Sequence, residues 1–495
     1  MYVCRGAKGF CGPFFYLLTL NIDIDMSRFN EKKEVGTTNL AGGVAYKESN
    51  ELKLASLLLT SFGEDKFYRS SKETLNELET LINICDKEFC AKAIVYARKV
   101  FGMRTITHIA SSILAKYIGG EEWGKDFFNS VVVRPDDMLE IVACHLSRKQ
   151  KLTNAMKKGF AMAFARFDDY QLAKYKGEGK DVKLVDLVNL VHPTQSEKNN
   201  GAIERLVKGE LKSFDTWESE LSKVGGDIEA KKRVWDTLLS ENKLGYFALL
   251  RNLRNIVNLG DESIAQKAFN ALLNEKAIKK SLVLPFRYST AYDEMRNVGS
   301  VAMSMVSRAC DIACNNIPKL DGKTLIALDI SGSMGGRVSQ IASVFASAFL
   351  KRNDCDLMVF ATNAEYKFVN PDDSVLSIAN SLRFNGGGTN FIDIFNKADK
   401  AYDRIILLSD MQAWMVQDTW YCKSPKQAYE AWKKKFGVKD CKFYSFDLAG
   451  YGTLQMPQND VFCLAGFSEK VFDLMPLLEK DRNALVNTIK SVTFV

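Results

Sequence analysis

The sequence has no hydrophobic run of about 20 residues and no low-complexity tract, so no segment is predicted to span a membrane. Its 495 residues are 46% hydrophobic and 26% charged, which is typical of a soluble globular protein. A chain of this length exceeds one ordinary hydrophobic core. We therefore expect two or three domains.

Histidine is scarce. The three residues are His108, His145 and His192. Zinc sites and serine hydrolases commonly use imidazole groups. Cys310 and Cys314 have no second cysteine pair to complete a zinc site, and Ser331 occupies the first glycine position of a G-x-S-x-G turn around Ser333. The sequence therefore predicts neither a zinc site nor a hydrolase, and we expect the protein not to be an enzyme.

Cysteine is present without a disulfide pattern. The eleven cysteines are an odd number and have no repeated spacing. Such cysteines are typical of reduced thiols in a reducing compartment. The prediction is a cytoplasmic protein.

The first residues differ from the rest of the chain. Arg5 and Lys8 precede a short apolar stretch that faintly resembles a signal peptide, but Pro13 interrupts it and no small-residue cleavage site follows. Met26 is an alternative start. We predict that residues 1–34 form a tail outside the fold, either disordered or upstream of the true start.

Residues 35–320 are predicted to form a helical domain. Apolar residues recur at spacings of three and four from about Ser49 to Ile317, and alternating segments are almost absent. About eleven consecutive helices with short connections favour an α-solenoid of stacked pairs over a bundle. Positive charge is in excess here, with 47 Lys and Arg against 40 Asp and Glu up to Leu320, but 20 against 20 afterwards. A polyanionic partner is therefore expected to bind the first part.

Residues 321–495 are predicted to form an α/β domain. Asp321-Gly322 marks a change to alternating strands and helices, which indicates a doubly wound, mostly parallel sheet. The run Leu325 to Leu328 predicts a buried strand, and Asp329, Ser331 and Ser333 follow it at a spacing of two. These oxygen donors are expected at the carboxyl edge of the sheet, where such folds bind ligands.

Two further residues are expected at the same edge. Thr389 follows three glycines, and Asp410 ends a second apolar strand. Carboxylates and hydroxyls without sulfur or imidazole suit a hard divalent cation, and Mg²⁺ is the predicted cofactor. The alternative is that these side chains only cap loops.

The set Asp329, Ser331, Ser333, Thr389 and Asp410 resembles the metal-ion-dependent adhesion site of von Willebrand factor A-like domains. The resemblance implies that the two serines and Thr389 bind the ion directly or through water. It also implies that the two aspartates lie partly behind them, and that an acidic group of a partner fills the open position. A metal-dependent protein-interaction module is therefore the alternative function.

Segments of the first part resemble the Ro ribonucleoprotein (TROVE-domain) family. They are FGMRTITHIASSILA from Phe101, LAKYKGEGKDVKLVDLVNLVHPT from Leu172, YFALLRNLRNI from Tyr246 and AFNALLNEKAIKKSLVLPFR from Ala268. The resemblance implies a monomeric closed ring of HEAT-like repeats joined to the A-like domain. It implies binding of Y-like small RNA on the outer surface and of single-stranded 3′ ends of misfolded non-coding RNA through the central hole, in RNA quality control. A tethered exoribonuclease is a further expected partner.

Basic residues are candidates for RNA contacts. The resemblance implies that Lys174 and His192 touch the Y-like RNA, and Gly177-Glu178 departs from the family pattern, with Lys180 as a substitute for a missing arginine. The remaining candidates are Lys176, Arg148, Lys151, Lys157 and Lys158. The alternative is a solvated helix face for the lysines and a loop or core position for the histidine. Arg251 and Arg254 share a helix face and are predicted to be structural.

Overall fold

The computed structural model describes residues 36–61, 70–177, 179–211, 217–281, 283, 286–314, 317, 319–370, 372–413, 424–456, 461–465, 475–478, 481 and 483–494. The predicted tail over residues 1–34 lies outside them. The described residues belong to one compact unit. None of their helices is long and apolar enough to cross a membrane.

The first part of the described chain is helical after a short β-hairpin. The hairpin strands are β1 (Gly36–Thr38) and β2 (Val44–Lys47). The helices are α1 (Asn50–Thr60), α2 (Ser71–Ile84), α3 (Lys87–Lys99), α4 (Thr105–Leu114), α5 (Gly124–Val131), α6 (Pro135–Ser147), α7 (Asn154–Phe164), α8 (Asp169–Lys174), α9 (Leu184–Val191), α10 (Ala202–Lys208), α11 (Trp217–Val224), α12 (Ile228–Ser240), α13 (Tyr246–Val257), α14 (Glu262–Leu272), α15 (Glu275–Lys280), α16 (Phe286–Met295) and α17 (Ser300–Cys314).

The described residues before position 320 thus contain seventeen helices rather than about eleven. The additional ones include the six-residue helices α8 and α15, which begin at the side-chain caps Asp168 and Asn274. A cap can start a helix that is too short to show a hydrophobic period. The hairpin was also missed, because its two strands are only three and four residues long.

The second part alternates strands and helices. Its elements are β3 (Thr324–Asp329), α18 (Arg337–Arg352), β4 (Cys355–Phe360), β5 (Ala364–Tyr366), α19 (Val375–Ser381), α20 (Phe391–Lys397), β6 (Arg404–Ser409), α21 (Pro425–Phe436), β7 (Lys442–Asp447), β8 (Thr453–Leu454), β9 (Phe462–Ala465), α22 (Met475–Leu478) and α23 (Ala484–Lys490). A 3-10 turn covers Gly332–Met334.

These strands form a six-stranded sheet in the order β5-β4-β3-β6-β7-β9. All neighbours are parallel except β5, which runs antiparallel to β4 at the edge. The side chains from Leu325 to Leu328 are fully buried, as expected for a central strand covered on both faces. The predicted α/β class with a mostly parallel sheet is confirmed.

The two parts are joined at both ends of the helical series. At the beginning, β2 pairs antiparallel with β8, and Lys490 of α23 forms an ion pair with Glu51 of α1 at 2.9 Å. At the end, the Ser307 hydroxyl of α17 donates to Ser374 at 2.6 Å, just before α19. Because α1 and α17 both contact the α/β part, the chain closes on itself. This connectivity agrees with the predicted helical ring followed by an A-like domain.

The cysteines that the structure describes are all free. Cys310 and Cys314 are buried one turn apart in α17. This agrees with the prediction of reduced thiols.

Candidate functional site

The five predicted cation ligands lie at the carboxyl edge of the sheet. Asp329 ends β3, and Asp410 follows β6, its parallel neighbour. Ser331 lies just before the 3-10 turn, Ser333 lies in it, and Thr389 follows the triple-glycine loop. We call these five residues the cation motif. Each exposes less than a tenth of its surface, so the oxygen atoms are largely withdrawn from bulk water.

Hydrogen bonds order one side of the cation motif. One Asp329 oxygen accepts from the Ser331 backbone N–H at 2.9 Å, and the other accepts from the Ser409 hydroxyl at 2.6 Å. The hydroxyls of Ser331 and Ser333 are 3.3 Å apart. Burial raises the pKa of Asp329 to about 6, although its hydrogen bonds oppose the rise. Asp329 is therefore held in place by neighbours that sequence reasoning did not include, above all Ser409.

On the other side of the cation motif, one oxygen of the Asp410 carboxylate lacks a hydrogen-bond donor among the described residues. Its Oδ1 accepts from the Gln412 backbone N–H at 3.2 Å, whereas its Oδ2 is buried and has no hydrogen-bond partner among the described residues. Burial, followed by the nearby charge of Asp329, raises the pKa of Asp410 to about 8, although hydrogen bonding with the Ser333 side chain and the Gln412 N–H opposes the rise. A buried carboxylate oxygen without a donor is unfavourable unless a proton or a cation satisfies it.

The residues of the cation motif fit a hard divalent cation. Two carboxylates and three hydroxyls offer only oxygen, which Mg²⁺ prefers, and Asp410 Oδ2 is a buried acceptor that a cation would satisfy. Gly386 and Gly387 adopt positive φ angles of 78° and 101°, which let their loop approach the first turn closely at Gly332. The described residues contain no cluster of three or more His, Cys, Asp or Glu side chains suited to a metal.

Gln412 links this edge to the β-hairpin at the start of the described chain. Its Nε2 donates to Thr453 Oγ1 at 3.1 Å, and its Oε1 accepts from the Leu40 N–H at 2.7 Å. The Asn39 side chain donates to the Ala413 carbonyl at 2.5 Å. The loop after Asp410 is therefore fixed by residues about 370 positions earlier, which no local pattern indicates.

The predicted RNA-contacting residues form two groups rather than one. Lys174 ends α8, and Lys176 and Lys180 lie in the segment between α8 and α9, which packs near the start of α6. Arg148 and Lys151 follow the other end of α6, and the sequence then enters α7 with Lys157 and Lys158. The 13 residues of α6 span about 20 Å. A short run of positive charge in the sequence thus becomes two separate places on the helical part.

The first group combines exposed cations with aromatic rings. The Lys174 ammonium lies 5.7 Å from the ring centre of Tyr170 and 5.9 Å from that of Tyr175. The Arg134 guanidinium lies 4.7 Å from the Tyr175 ring centre. Lys180 forms an exposed ion pair with Glu140 at 2.6 Å, so part of its charge is offset. Cations beside rings offer both phosphate contacts and stacking surfaces for bases.

The second group is more variable in exposure. Lys151 and Lys158 are exposed, Lys157 is half-buried, and Arg148 forms an ion pair with Glu79 at 3.3 Å.

His192 belongs to neither group. It ends α9 in a left-handed conformation, with φ 46° and an exposed side chain, so it is a loop residue and not a core residue. These positions leave Lys151, Lys158 and His192 accessible to a partner.

A buried ionic network positions Arg134 beside Tyr175. Asp137 accepts from the guanidinium of Arg98 at 2.8 Å and contacts the His108 ring at 2.9 Å. It also accepts from the Arg134 backbone N–H at 2.8 Å, which fixes the start of α6. Burial by itself raises the pKa of Asp137, but the hydrogen bond to His108 and the charge of Arg98 outweigh it and hold the pKa well below its usual range.

Arg251 and Arg254 have different environments. Arg254 forms an exposed ion pair with Glu294 of α16, whereas Arg251 is exposed on the same helix. Burial lowers the pKa of Arg287 on α16, and the charges of Arg337 and Arg251 lower it further. Arg254 therefore joins α13 to α16 through its ion pair, whereas the structural role of Arg251 stays a prediction.

Comparisons with known proteins agree with the observed fold. The family model of the TROVE domain matches residues 207–319. Telomerase protein component 1 of Rattus norvegicus is 20% identical over 343 residues, and that of Mus musculus is 22% identical over 354. These matches cover 51% and 54% of this chain but only 13% of each relative, so the chain spans a small part of their length.

A solved structure is similar over most of the chain. The crystal structure of the Ro (RSR) protein of Deinococcus radiodurans superposes with a TM-score of 0.57 and 18% identity. The match covers 86% of this chain and 99% of the other. The resemblance predicted from the sequence is confirmed: the chain contains a TROVE-domain segment and has the fold of a Ro protein.

Proposed function

We propose that this protein is a non-enzymatic RNA-binding protein of the Ro type, which acts as a ribonucleoprotein scaffold in the quality control of non-coding RNA. The observation that carries the proposal is the pairing of a Ro-like fold with exposed cations beside aromatic rings at Lys174 and Tyr175. Such a surface contacts phosphates by charge and unpaired bases by stacking. The finer proposal is binding of Y-like small RNA there and of single-stranded 3′ ends elsewhere on the helical part.

Structured RNA with a single-stranded 3′ tail is expected to bind more tightly than the same RNA without the tail. Filter binding at 50 mM and 200 mM salt measures both affinities, and each should fall as salt rises because phosphate contacts release counterions. The blunt RNA is the matched control for helix length, and the same RNA with an equally long 5′ tail matches the charge that the 3′ tail adds. Equal affinities for the two RNAs would remove the proposed 3′-end site.

The double variant Lys174→Glu, Lys176→Glu is expected to weaken the binding of Y-like RNA more than the binding of tails. The salt slope should decrease by about one for each lysine that contacts a phosphate. Lys276→Glu with Lys279→Glu changes the charge by the same amount on the exposed side of α15 and serves as the control. Equal losses for both RNAs would contradict two separate sites.

The second candidate function is metal-dependent binding of an acidic protein partner, for which an exoribonuclease is one proposed identity. It is favoured by the buried Asp410 oxygen, which a Mg²⁺ ion would satisfy while leaving a position for an acidic group of the partner. Affinity capture with the wild type in Mg²⁺ is expected to retain a partner that EDTA or Asp329→Ala releases, with RNA affinity unchanged. Circular dichroism controls for folding of the variant. Capture that is indifferent to both treatments would exclude this function.

A further inference from the structure

A cavity lies at the junction of the helical part and the α/β part, outside the cation motif. Its volume is about 300 Å³, and α16 and α19 form its walls. The lining residues are Tyr292, Arg296, Ser377, Asn380, Ser381 and Arg383. All six carry polar groups, and none is a carboxylate. The cavity therefore has a net positive lining at a place where two parts of the chain meet.

The lining offers hydrogen-bond donors. The Nδ2 atom of Asn380 is buried and has no partner among the described residues. Arg383 is exposed and forms no ion pair within the described part of the chain. Arg296 pairs with Asp293 at 2.9 Å, and the Ser381 hydroxyl donates to the Ile378 carbonyl at 2.7 Å. The uncommitted donors thus come chiefly from Asn380 and Arg383, with Arg296 able to share its charge.

Hydrogen bonds between α17 and the start of α19 hold the wall of the cavity that α19 forms. Ser374 caps α19 by accepting from the Ser377 N–H at 3.1 Å, and it also accepts from Ser307 of α17. Asp311 of α17 accepts from the Val375 N–H at 2.8 Å. The first turn of α19, which carries Ser377, is therefore fixed against the helical part.

We propose that this cavity binds a phosphate group. A guanidinium forks onto two phosphate oxygens, and the remaining oxygens are available to the hydroxyls of Ser377 and Tyr292. The buried amide of Asn380 joins them only by turning towards the cavity. A phosphate offers more acceptor oxygens, in more directions, than a carboxylate.

The phosphate has two possible sources, an RNA backbone or a free phosphomonoester such as a nucleotide. The RNA source rests on the proposed function, whereas the phosphate chemistry of the cavity does not. Arg383 precedes Gly386 by three residues, and the glycine loop carries Thr389 of the cation motif. A phosphate held by Arg383 would therefore lie at the start of the loop that leads to the motif.

Three probes distinguish the sources: inorganic phosphate, AMP and a ten-nucleotide oligoadenylate. Binding to the full-length chain is measured by calorimetry for the first two and by fluorescence anisotropy for the third, in a phosphate-free buffer. Arg383→Gln is expected to weaken binding about tenfold, the loss of one charge-assisted interaction. Lys397→Gln removes an exposed charge from α20 in the same part of the chain and should leave binding unchanged.

Each outcome decides the proposal. A loss specific to Arg383→Gln with phosphate or AMP supports a phosphomonoester site, and a specific loss with the oligonucleotide alone supports an RNA phosphate. The cavity is not a phosphate site if Arg383→Gln and Lys397→Gln bind all three probes with equal affinity. It is also not one if the protein binds none of the probes. Specific phosphate binding without any RNA binding would instead overturn the proposed function and leave the cavity standing.

Discussion

Asp137→Asn is expected to lower the free energy of unfolding by about 3 to 5 kcal/mol, the cost of leaving a buried charge without its partner. The substitution keeps the size of the side chain but removes the negative charge that faces Arg98, of which only 5% is exposed. It also weakens the acceptor for the backbone at the start of α6. Urea unfolding at pH 7, followed by circular dichroism, measures the change.

The pH dependence gives this prediction a second test. The pKa of Asp137 is lowered in the folded state, so its stabilising contribution is present above the ordinary aspartate pKa and is lost as the pH falls towards the folded value. The difference between wild type and Asp137→Asn should therefore shrink at acid pH. Asp181→Asn, at an exposed position, is the control and should change stability little. A variant as stable as the wild type at pH 7 would show that the network contributes little.

Mg²⁺ is expected to stabilise the wild type by about 2.7 kcal/mol at 100 times its dissociation constant. Asp410→Asn should abolish this gain, because it removes the buried oxygen that we expect the ion to satisfy. In the absence of Mg²⁺ the same variant should be as stable as the wild type or more stable at pH 8.5, since it no longer buries an unsatisfied carboxylate. Thermal unfolding with and without Mg²⁺ measures both effects.

The sign of the pH effect follows from the raised pKa of Asp410, which is about 8. A carboxyl group with a raised pKa contributes its full stabilisation only below the ordinary aspartate pKa, and this contribution is lost progressively as the pH rises from there to about 8. Mg²⁺ competes with that proton, so its stabilisation should be larger at pH 8.5 than at pH 6. Asp372→Asn, an exposed change in the same part of the chain, should retain the full response. Equal Mg²⁺ responses in wild type and Asp410→Asn would contradict a cation at this edge.

Local pattern was most informative in the α/β part. The buried strand predicted from the run Leu325 to Leu328 is β3, and the second apolar strand predicted before Asp410 is β6. Both strands are buried on both faces of the sheet. Such strands need continuous apolar runs, which can be recognised in the sequence. Parallel pairing then placed Asp329 and Asp410 at one edge without knowledge of distant contacts.

The local sequence pattern was less informative for elements and side chains whose position depends on packing against distant parts of the chain. The strand β8 has only two residues, and it exists because β2 provides its partner from the other end of the chain. Lys174 and Arg148 are near in sequence, yet α6 and the loop after α8 place them apart on the helical part. Charge spacing along the chain does not determine charge spacing in space once several helices intervene.

The sequence by itself determined the class of both parts, the placement of the cation motif at one edge of the sheet, and the oxygen-only chemistry of that motif. These follow from periodicity and from the fixed direction of parallel strands, which are local properties. Only the tertiary structure decided that the chain closes through Lys490 and Ser307, that Asp410 keeps an unsatisfied buried oxygen, and that Asn380 and Arg383 share a cavity with α16. Those features depend on contacts between residues far apart in the chain, and burial gives them their energetic weight.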